Sequence, residues 1–471
     1  MITEKRRLFM PFDQKFVHNV LPNAQIPFAH FPETLSFSID SRSICAGDIF
    51  VALIGARVNG HDYCKAALDA GAAGIIIDTS HQHLLETLGH KLRNKLAIVV
   101  VDTTDAFVAL ATAWRMQFNY PVIGITGSVG KTSTKEMLVN IFSTAGMKAV
   151  ATQGTQNTRV GVALNIFKMR DDHQVGVFEL GISKRGEMAE LARILKPTTG
   201  IITSIGHAHM EGLGSLADIA QEKRDIFKFF SENSIGIING DQSILALVGY
   251  AHPVIKFGAK TINQVQARKV HLSSLSASFT LKLYRQKYQV SLPFIHQGYV
   301  YNSLAAIAAA HLLDVGTHVI IEGLQKPLQV SGRFEQRALQ QYKGALIHDC
   351  YNANPESMKA ALLAFQRIET PSQKIAVLGD MLELGVTTPF WHRQLGRLLR
   401  KVPSVRHVIL VGSLVQWTKK TIPVGVHAEH VTSWQEAATK LKDMLSGSSL
   451  VLIKGSRGIA LEKLVEQFAQ K

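Results

Sequence analysis

The sequence predicts an α/β protein of three domains, each organised around a largely parallel sheet. Three observations carry this. Short apolar runs recur along the chain (VIGIT, VGVFEL, TGIITSI, IGIIN, KIAVLGD, HVILVG, SLVLIKG) and end mostly in Gly, Asn or Asp. Runs of that length and character are strands buried on both faces, as parallel sheets covered by helices require. Helical patterns alternate with them, which is the strand–helix order of α/β architecture. Finally, 471 residues are too many for one core, and the length suggests about three domains.

Taken in order, the first hundred or so residues carry shorter strands, DIFVALI and AIVVV, and form a small N-terminal α/β domain, residues 1–105. The helix around Trp114 suits either side of a boundary near 106. A central domain, 106–327, begins its strand series at Val122. Its rhythm breaks at about 265–294, where HLSSLSASFTLKLYRQKYQVSLP alternates as antiparallel strands do. A helix through Leu304, Ile307 and His311 follows this antiparallel addition. Beyond Pro327 and Gly332 a fresh strand–helix series starts, giving a C-terminal Rossmann-like α/β domain, 328–471. In it Met358, Ala361, Leu362 and Phe365 share one helical face at i, i+3, i+4, i+7 spacing.

Composition narrows the function. Hydrophobic residues make up 46% and charged residues 18%, so the chain is folded rather than disordered. Cys45, Cys64 and Cys350 stand far apart, which leaves neither a disulfide framework nor a CxxC metal site and fits a reducing compartment. The basic Lys5, Arg6 and Arg7 precede an apolar stretch cut by Pro11 and Asp13. That is too short and polar for a signal peptide, and no later run spans a bilayer, so a cytoplasmic protein is expected. A net charge of +15 calls for an acidic partner. The excess is spread along the chain without the basic–aromatic interleaving of a single-strand channel. A substrate bearing phosphates and carboxylates fits it at least as well as nucleic acid.

The strongest motif is GITGSVGKTSTKE, residues 124–136, set directly after a strand and opening a helix. Gly127 and Gly130 permit a turn whose N–H groups converge on phosphate oxygens, and the helix N-terminus adds its dipole. This makes the central domain a P-loop mononucleotide-binding domain, with Lys131 on the β/γ-phosphates and Thr132 on Mg²⁺. The pattern departs from the full Walker form at Ile125, where a glycine is expected. Glu179 ends the strand VGVFEL, at the carboxyl edge where open sheets bind ligands. His209 follows TGIITSI in GHAHMEG. Among nineteen histidines a lone one is ordinarily a surface or core residue, so both readings stay open on residue type alone. DCYNANPESM, residues 349–358, gathers Asp349, Tyr351, Asn352 and Asn354 at another strand end, with Glu356 or Ser357 available to the helix start. An Asn-Pro turn with an N-cap accounts for Asn354 to Ser357 but not for the Asp and Tyr before them. GDMLELG (379–385) and KGSRG (454–458) also end strands, and three polar loops on one sheet edge suggest a site.

Together these residues resemble the Mur ligases over nearly the whole chain: DSR at 40–42, GDIFVALIG and NGH at 59–61; then TGSVGKTST, FELG, GHAHMEGLGS and QEKRDIF; then GRFE at 332–335, DCYNANPESM, VLGDMLELG and KGSRG. The YNANP and LGDMLELG pair resembles the branch that adds a dipeptide rather than one amino acid. The resemblance implies an ATP-dependent amide ligase of peptidoglycan precursor synthesis, joining D-alanyl-D-alanine to UDP-N-acetylmuramoyl-tripeptide through an acyl phosphate. It implies that Gly127, Ser128, Val129, Gly130, Lys131, Thr132 and Ser133 hold the ATP phosphates, with Asn302 near the adenine and Arg333 and Asp349 reaching in from the third domain. It implies two Mg²⁺ ions, held by Thr132 and Glu179 and by His209 and a carbamylated Lys223, and so a catalytic set of Lys131, Glu179, His209 and Lys223. Ser41, Arg42, Asn157 and Thr158 are implied for the UDP substrate, and Tyr351, Asn352 and Asn354 for the dipeptide. Only small-molecule partners are expected, with no nucleic acid, no transmembrane segment and a monomeric chain. The rival readings are a related ligase, such as one adding the third peptide residue or a folate polyglutamate synthase, and a P-loop NTPase acting on nucleic acid.

The chain departs from the family pattern at Val129, at Asn59, in TQNTRVGVA (155–163) and in HQGYVYN (296–302). Within the last of these, Tyr299 is read either as stacking on adenine or as filling the gap beside the helix that begins there.

Overall fold

The computed structural model describes residues 10–328, 330–370, 372–445 and 448–470; the basic triplet Lys5–Arg7 lies outside the described residues. Three sheets follow one another along the chain. The first comprises β1 (Gln25–Ala29), β2 (Phe37–Ser38), β3 (Ile49–Val51), β4 (Gly74–Asp78) and β5 (Leu96–Val100), in the order β1-β5-β4-β3-β2. Its interior strands are parallel and fully buried, and β1 adds antiparallel at an edge. Pro27 sits in β1, where a missing ladder donor costs least.

The central sheet is made of β6 (Val122–Thr126), β7 (Ala149–Ala151), β8 (Val175–Glu179), β9 (Thr199–Ile202), β10 (Ile235–Asn239), β11 (Val254–Gly258), β12 (Val265–Leu272), β13 (Ala277–Leu283) and β14 (Gln286–Leu292). Its order is β14-β13-β12-β11-β10-β9-β6-β8-β7, parallel from β7 to β12 and antiparallel through β12, β13 and β14. The alternating stretch therefore extends the parallel sheet at one edge. Helix Gln297–Leu312 returns from it and packs on helix Lys131–Thr144, burying Leu304 and Ile307.

The third sheet holds β15 (Glu335–Ala338), β16 (Lys343–His348), β17 (Gln373–Gly379), β18 (Val405–Val411), β19 (His427–Val431) and β20 (Ser448–Lys454), ordered β15-β16-β20-β17-β18-β19 with only β15 antiparallel. Helix Pro355–Arg367 buries Met358, Ala361, Leu362 and Phe365 against it, the face the spacing predicts.

Helix Thr103–Arg115 belongs to both sides of the first junction. Phe107 and Trp114 join one apolar core with Phe16, Ile49 and Val51 before it and with Val162, Phe167 and Met188 after it. Arg115 is buried beneath this helix, donating to the carbonyls of Leu195 and Phe118 at 2.8 Å, and burial lowers its pKa to about 10. The first two sheets are thus welded by a shared core. No helix among the described residues is long and apolar enough to cross a membrane.

Candidate active site between the central and third sheets

The central β-strands β6, β8 and β9 run parallel in register, with Ile125 opposite Glu179 and Thr126 opposite Ile202. Their carboxyl ends deliver the phosphate loop, Glu179 and the GHAHMEG segment to one edge. Gly127 has φ +148° and a Cβ there would fall 1.9 Å from Thr203 Oγ1; Gly130 has φ +96° and caps helix Lys131–Thr144 in the left-handed region. Ile125, where the Walker pattern wants glycine, is a buried strand residue, so the turn is made by the two later glycines alone.

The loop is held mainly through its backbone. Ser128 N–H donates to Ser204 C=O at 2.8 Å, and Ser128 Oγ donates to Gly206 C=O at 2.9 Å. The carbonyl of Val129 accepts from Thr203 Oγ1 at 2.6 Å and Ser204 Oγ at 3.1 Å, so the departure at Val129 leaves the loop's anchoring untouched. Lys131 Nζ donates back to Gly127 C=O at 2.9 Å. Thr132 Oγ1 donates to Glu179 Oε2 and Asn157 Nδ2 to Glu179 Oε1, both at 2.7 Å. Asn157 thereby contacts a predicted metal-binding carboxylate.

Lys223 is 2% exposed on helix Leu216–Arg224 and its ammonium has no hydrogen-bond or ion-pair partner among the described residues. Burial, with Lys131 nearby, pushes its pKa well below the ordinary lysine value. Burial also lowers Lys131, against the pull of Glu179. The Thr132 hydroxyl and the Glu179 carboxylate are oxygen donors of the kind hard cations take, whereas the buried Lys223 amine offers no such oxygen as it stands.

Across the cleft, Asp349 at the end of β16 takes an ion pair from Lys454 at the end of β20, 2.9 Å, and the N–H of Phe334 at 3.2 Å. Burial raises the Asp349 carboxyl in spite of Lys454. The Arg333 guanidinium lies 4.4 Å over the Tyr351 ring. Between the two sheets is a cavity of about 770 Å³. Of the predicted residues, Ser128, Val129, Gly130, Lys131, Ser133, Asn157, Thr158, Glu179, His209, Asn302, Arg333, Asp349, Tyr351, Asn352 and Asn354 line it. Gly127, Thr132 and Lys223 do not line it; Thr132 reaches it through its hydrogen bond to Glu179, and Lys131, whose charge acts on Lys223, lines it.

Ser41 and Arg42 do not line this cavity; they form a single turn in the first sheet's layer, and exposed Arg42 is held bidentate by Asp40 at 2.9 and 2.7 Å. Asn302 packs against Gly130, so its amide sits at the phosphate loop. Asn354 is a helix N-cap in a reciprocal capping box with Ser357, which commits its side-chain oxygen to the backbone. Tyr299 stacks on Phe294 (4.6 Å, 23°) and its hydroxyl donates to Arg333 C=O at 3.0 Å, tying the central helix to the third domain. His296 opens the same helix as an N-cap, accepting Gly298 N–H, and burial lowers its pKa to about 4.

The site also holds pairings that residue patterns did not single out. His207 Nδ1 donates to Glu356 Oε1 at 2.6 Å and His207 N–H to Glu356 Oε2 at 3.1 Å. His209, at φ +57°, pairs through Nδ1 with Glu383, whose pKa this hydrogen bond lowers. Glu211 N–H donates to Glu383 C=O at 3.1 Å, and Trp391 packs 4.3 Å from the His207 ring. Two third-domain glutamates therefore grip the two histidines of one central-domain loop. Glu383 was visible only as part of LGDMLELG, and Lys454 only as part of KGSRG.

Comparison with known proteins points the same way. Residues 36–109 match the model described as Mur ligase family, catalytic domain; 125–310 match the Mur ligase middle domain; 332–457 match the Mur ligase, glutamate ligase domain. The UDP-N-acetylmuramoyl-tripeptide–D-alanyl-D-alanine ligase of Treponema pallidum is 36% identical over 91% of this chain and 92% of its own. The Bacillus subtilis enzyme of the same name is 31% identical over 92% of each. Among solved structures, MurF from Acinetobacter baumannii superposes with a TM-score of 0.83 at 28% identity, covering 98% of this chain and 99% of that one. MurF from Thermotoga maritima in complex with ADP gives 0.76 at 26%, covering 92% and 96%.

Proposed function

The chain belongs to the Mur ligase family, and from that premise we propose that it joins D-alanyl-D-alanine to UDP-N-acetylmuramoyl-tripeptide at the expense of ATP, giving the pentapeptide precursor of peptidoglycan, ADP and phosphate. The observation that carries the reading is one cavity bounded by the phosphate loop and Glu179 on one side and by Arg333, Asp349 and Lys454 on the other. A nucleotide triphosphate held on the loop faces cationic groups of a second domain, the arrangement that phosphoryl transfer between crowded anions needs.

The substrate carboxylate attacks the γ-phosphoryl group, ADP leaves, and the dipeptide amine then displaces phosphate from the acyl phosphate through a tetrahedral intermediate. Lys131 leaves its resting bond to the Gly127 carbonyl and meets the β/γ-phosphates. Magnesium ions, when bound, would be held by Thr132 with Glu179 and by His209 with a carbamylated Lys223, and would neutralise phosphate charge. Lys223 suits carbamylation because burial shifts its amine towards the neutral form, the one that takes up carbon dioxide. Asn157 and Thr158 flank Glu179 on the substrate side; Tyr351, Asn352 and Asn354 present the third domain's polar edge to the dipeptide. Ser41 and Arg42 engage the uridine diphosphate from the first domain, remote from the bond being made. The three domains, 1–105, 106–327 and 328–471, divide uridine nucleotide, ATP and dipeptide among themselves. The protein works as a cytoplasmic monomer.

The test is turnover. ADP and phosphate release should require the tripeptide substrate and D-alanyl-D-alanine together, and mass analysis should find the pentapeptide. Turnover stimulated by nucleic acid, or by a single amino acid in place of the dipeptide, would refute the reading.

A further inference from the structure

From Gly385 to Ala428 the chain contains no Asp or Glu but seven Lys and Arg, so this stretch contributes +7 of the net +15. Elsewhere acidic residues are interspersed with the basic ones and some exposed cations are matched, as in Lys65–Asp69, Lys148–Asp172 and Lys440–Glu429. None of the seven forms an ion pair among the described residues. Arg393 and Arg397 lie one turn apart on helix Thr388–Leu398, and Arg400 and Lys401 continue from it. The short helix Gln416–Lys419 packs alongside and adds Lys419 and Lys420. Arg393 at 5.3 Å and Lys420 at 4.1 Å both lie over the Trp417 ring, which makes the two helices one continuous surface.

Apolar side chains stand in the same stretch. Val386 precedes the first helix and is 99% exposed, Phe390 in its first turn is 48% exposed, and Val424 after Lys420 is fully exposed. Exposed apolar side chains also occur elsewhere, Leu247 and Leu275 among them, but here they fall within a stretch that holds no acidic residue. Nucleic-acid phosphates would satisfy the cations and leave the aliphatic groups facing nothing. An anionic lipid surface takes both, with headgroups on the cations and the apolar groups at the headgroup–acyl boundary. We infer that this face of the third domain docks on an anionic membrane surface, a peripheral attachment that leaves the ligase cavity open to its small substrates.

The experiment is sedimentation of the full chain with vesicles of phosphatidylcholine alone or mixed with phosphatidylglycerol. Binding is expected only to the anionic vesicles and should weaken as salt shortens the Debye length. Each basic side chain near such a surface is worth about fivefold in partitioning. The triple variant Arg397→Glu, Arg400→Glu, Lys420→Glu should therefore lose about a hundredfold or more, with melting temperature and ligase turnover unchanged. Val386→Ser with Val424→Ser should reduce the binding that survives at high salt. Equal binding to neutral vesicles, wild-type binding by the triple variant, or displacement of the vesicles by RNA at matched charge would each overturn the inference. The wild-type lipid and salt dependence decides the question even if the triple variant fails to fold.

Discussion

Removing the two glutamates that grip the GHAHMEG loop tests whether third-domain closure completes the site. A hydrogen bond to a charged group contributes about 1.5–3 kcal/mol when buried, while an exposed ion pair contributes about 0.2–1 kcal/mol. Glu383 is 52% and His209 27% exposed, which places that pair near the lower range, about 1 kcal/mol. Glu356 is 38% and His207 22% exposed, and it accepts from both the ring and the backbone N–H, so about 2 kcal/mol is the better figure. Both pairs hold one loop, so their losses are coupled and about 3 kcal/mol is the ceiling, roughly a hundredfold in the closed-to-open ratio. The expected result is a kcat/KM for ATP lowered about fivefold in Glu383→Ala, more in Glu356→Ala, and up to about a hundredfold in the double variant. Phosphate-release kinetics measure this, and small-angle scattering should show the double variant expanded. Glu356 touches no predicted metal group, so its single variant separates closure from any effect on His209. A double variant with kcat/KM within about twofold of wild type and an unchanged scattering profile would refute the reasoning.

Lys223→Ala should abolish most turnover, and short added carboxylates should restore part of it by filling the anionic position; a fully active variant would remove the carbamate assignment. Arg42→Ala should raise KM for the uridine substrate with little change in kcat, because an exposed side chain held by Asp40 acts far from the chemistry; a selective kcat loss would contradict that. Tyr299→Phe should weaken ATP binding only modestly but lower the melting temperature, since the hydroxyl ties the helix to Arg333 C=O; the reverse pattern would restore the adenine-stacking role. His296 has a folded pKa of about 4 against an ordinary 6.5, so the unfolded chain binds the extra proton between those values. Its contribution is complete above pH 6.5 and falls as pH drops towards 4, by about 1–2 kcal/mol at pH 5. His296→Asn, which keeps a capping oxygen, should flatten that acid limb in denaturant titrations; an unchanged limb would mean His296 titrates normally.

Much of the fold was legible because buried parallel strands leave continuous apolar runs. The antiparallel edge at 265–292 was legible because its period switches to two. The phosphate loop and Glu179 could be placed together because both end adjacent strands of one sheet. The grip of Glu356 and Glu383 was not legible, since it joins residues 149 and 174 positions apart across two sheets, and no local period records such a pairing. Asn354 shows the opposite difficulty, as one short motif supports both a ligand-facing reading and a helix cap. Its capping box settles where the side-chain oxygen goes. At Val129 the side chain departs from the pattern, yet the structure uses that residue through its carbonyl.

The buried lysines explain why such a site stays specific for crowded anions. Burial disfavours the charge on both Lys131 and Lys223, and Lys131 adds to this at Lys223, while Glu179 and Glu222 offset it only in part. Folding tolerates this because Lys223 can shed its proton and Lys131 can rest on the Gly127 carbonyl. Both arrangements give way when phosphates and carboxylates arrive. The resting bond is then exchanged for a stronger charge-assisted one, and the field that disfavoured Lys223 as a cation favours an anion in its place. Arg333 and Lys454 face the phosphate loop from the other sheet, and the grip on the histidine loop joins the two sides. A nucleotide held on the loop would therefore meet Lys131 on one side and Arg333 on the other, where positive charge stabilises a transferring phosphoryl group.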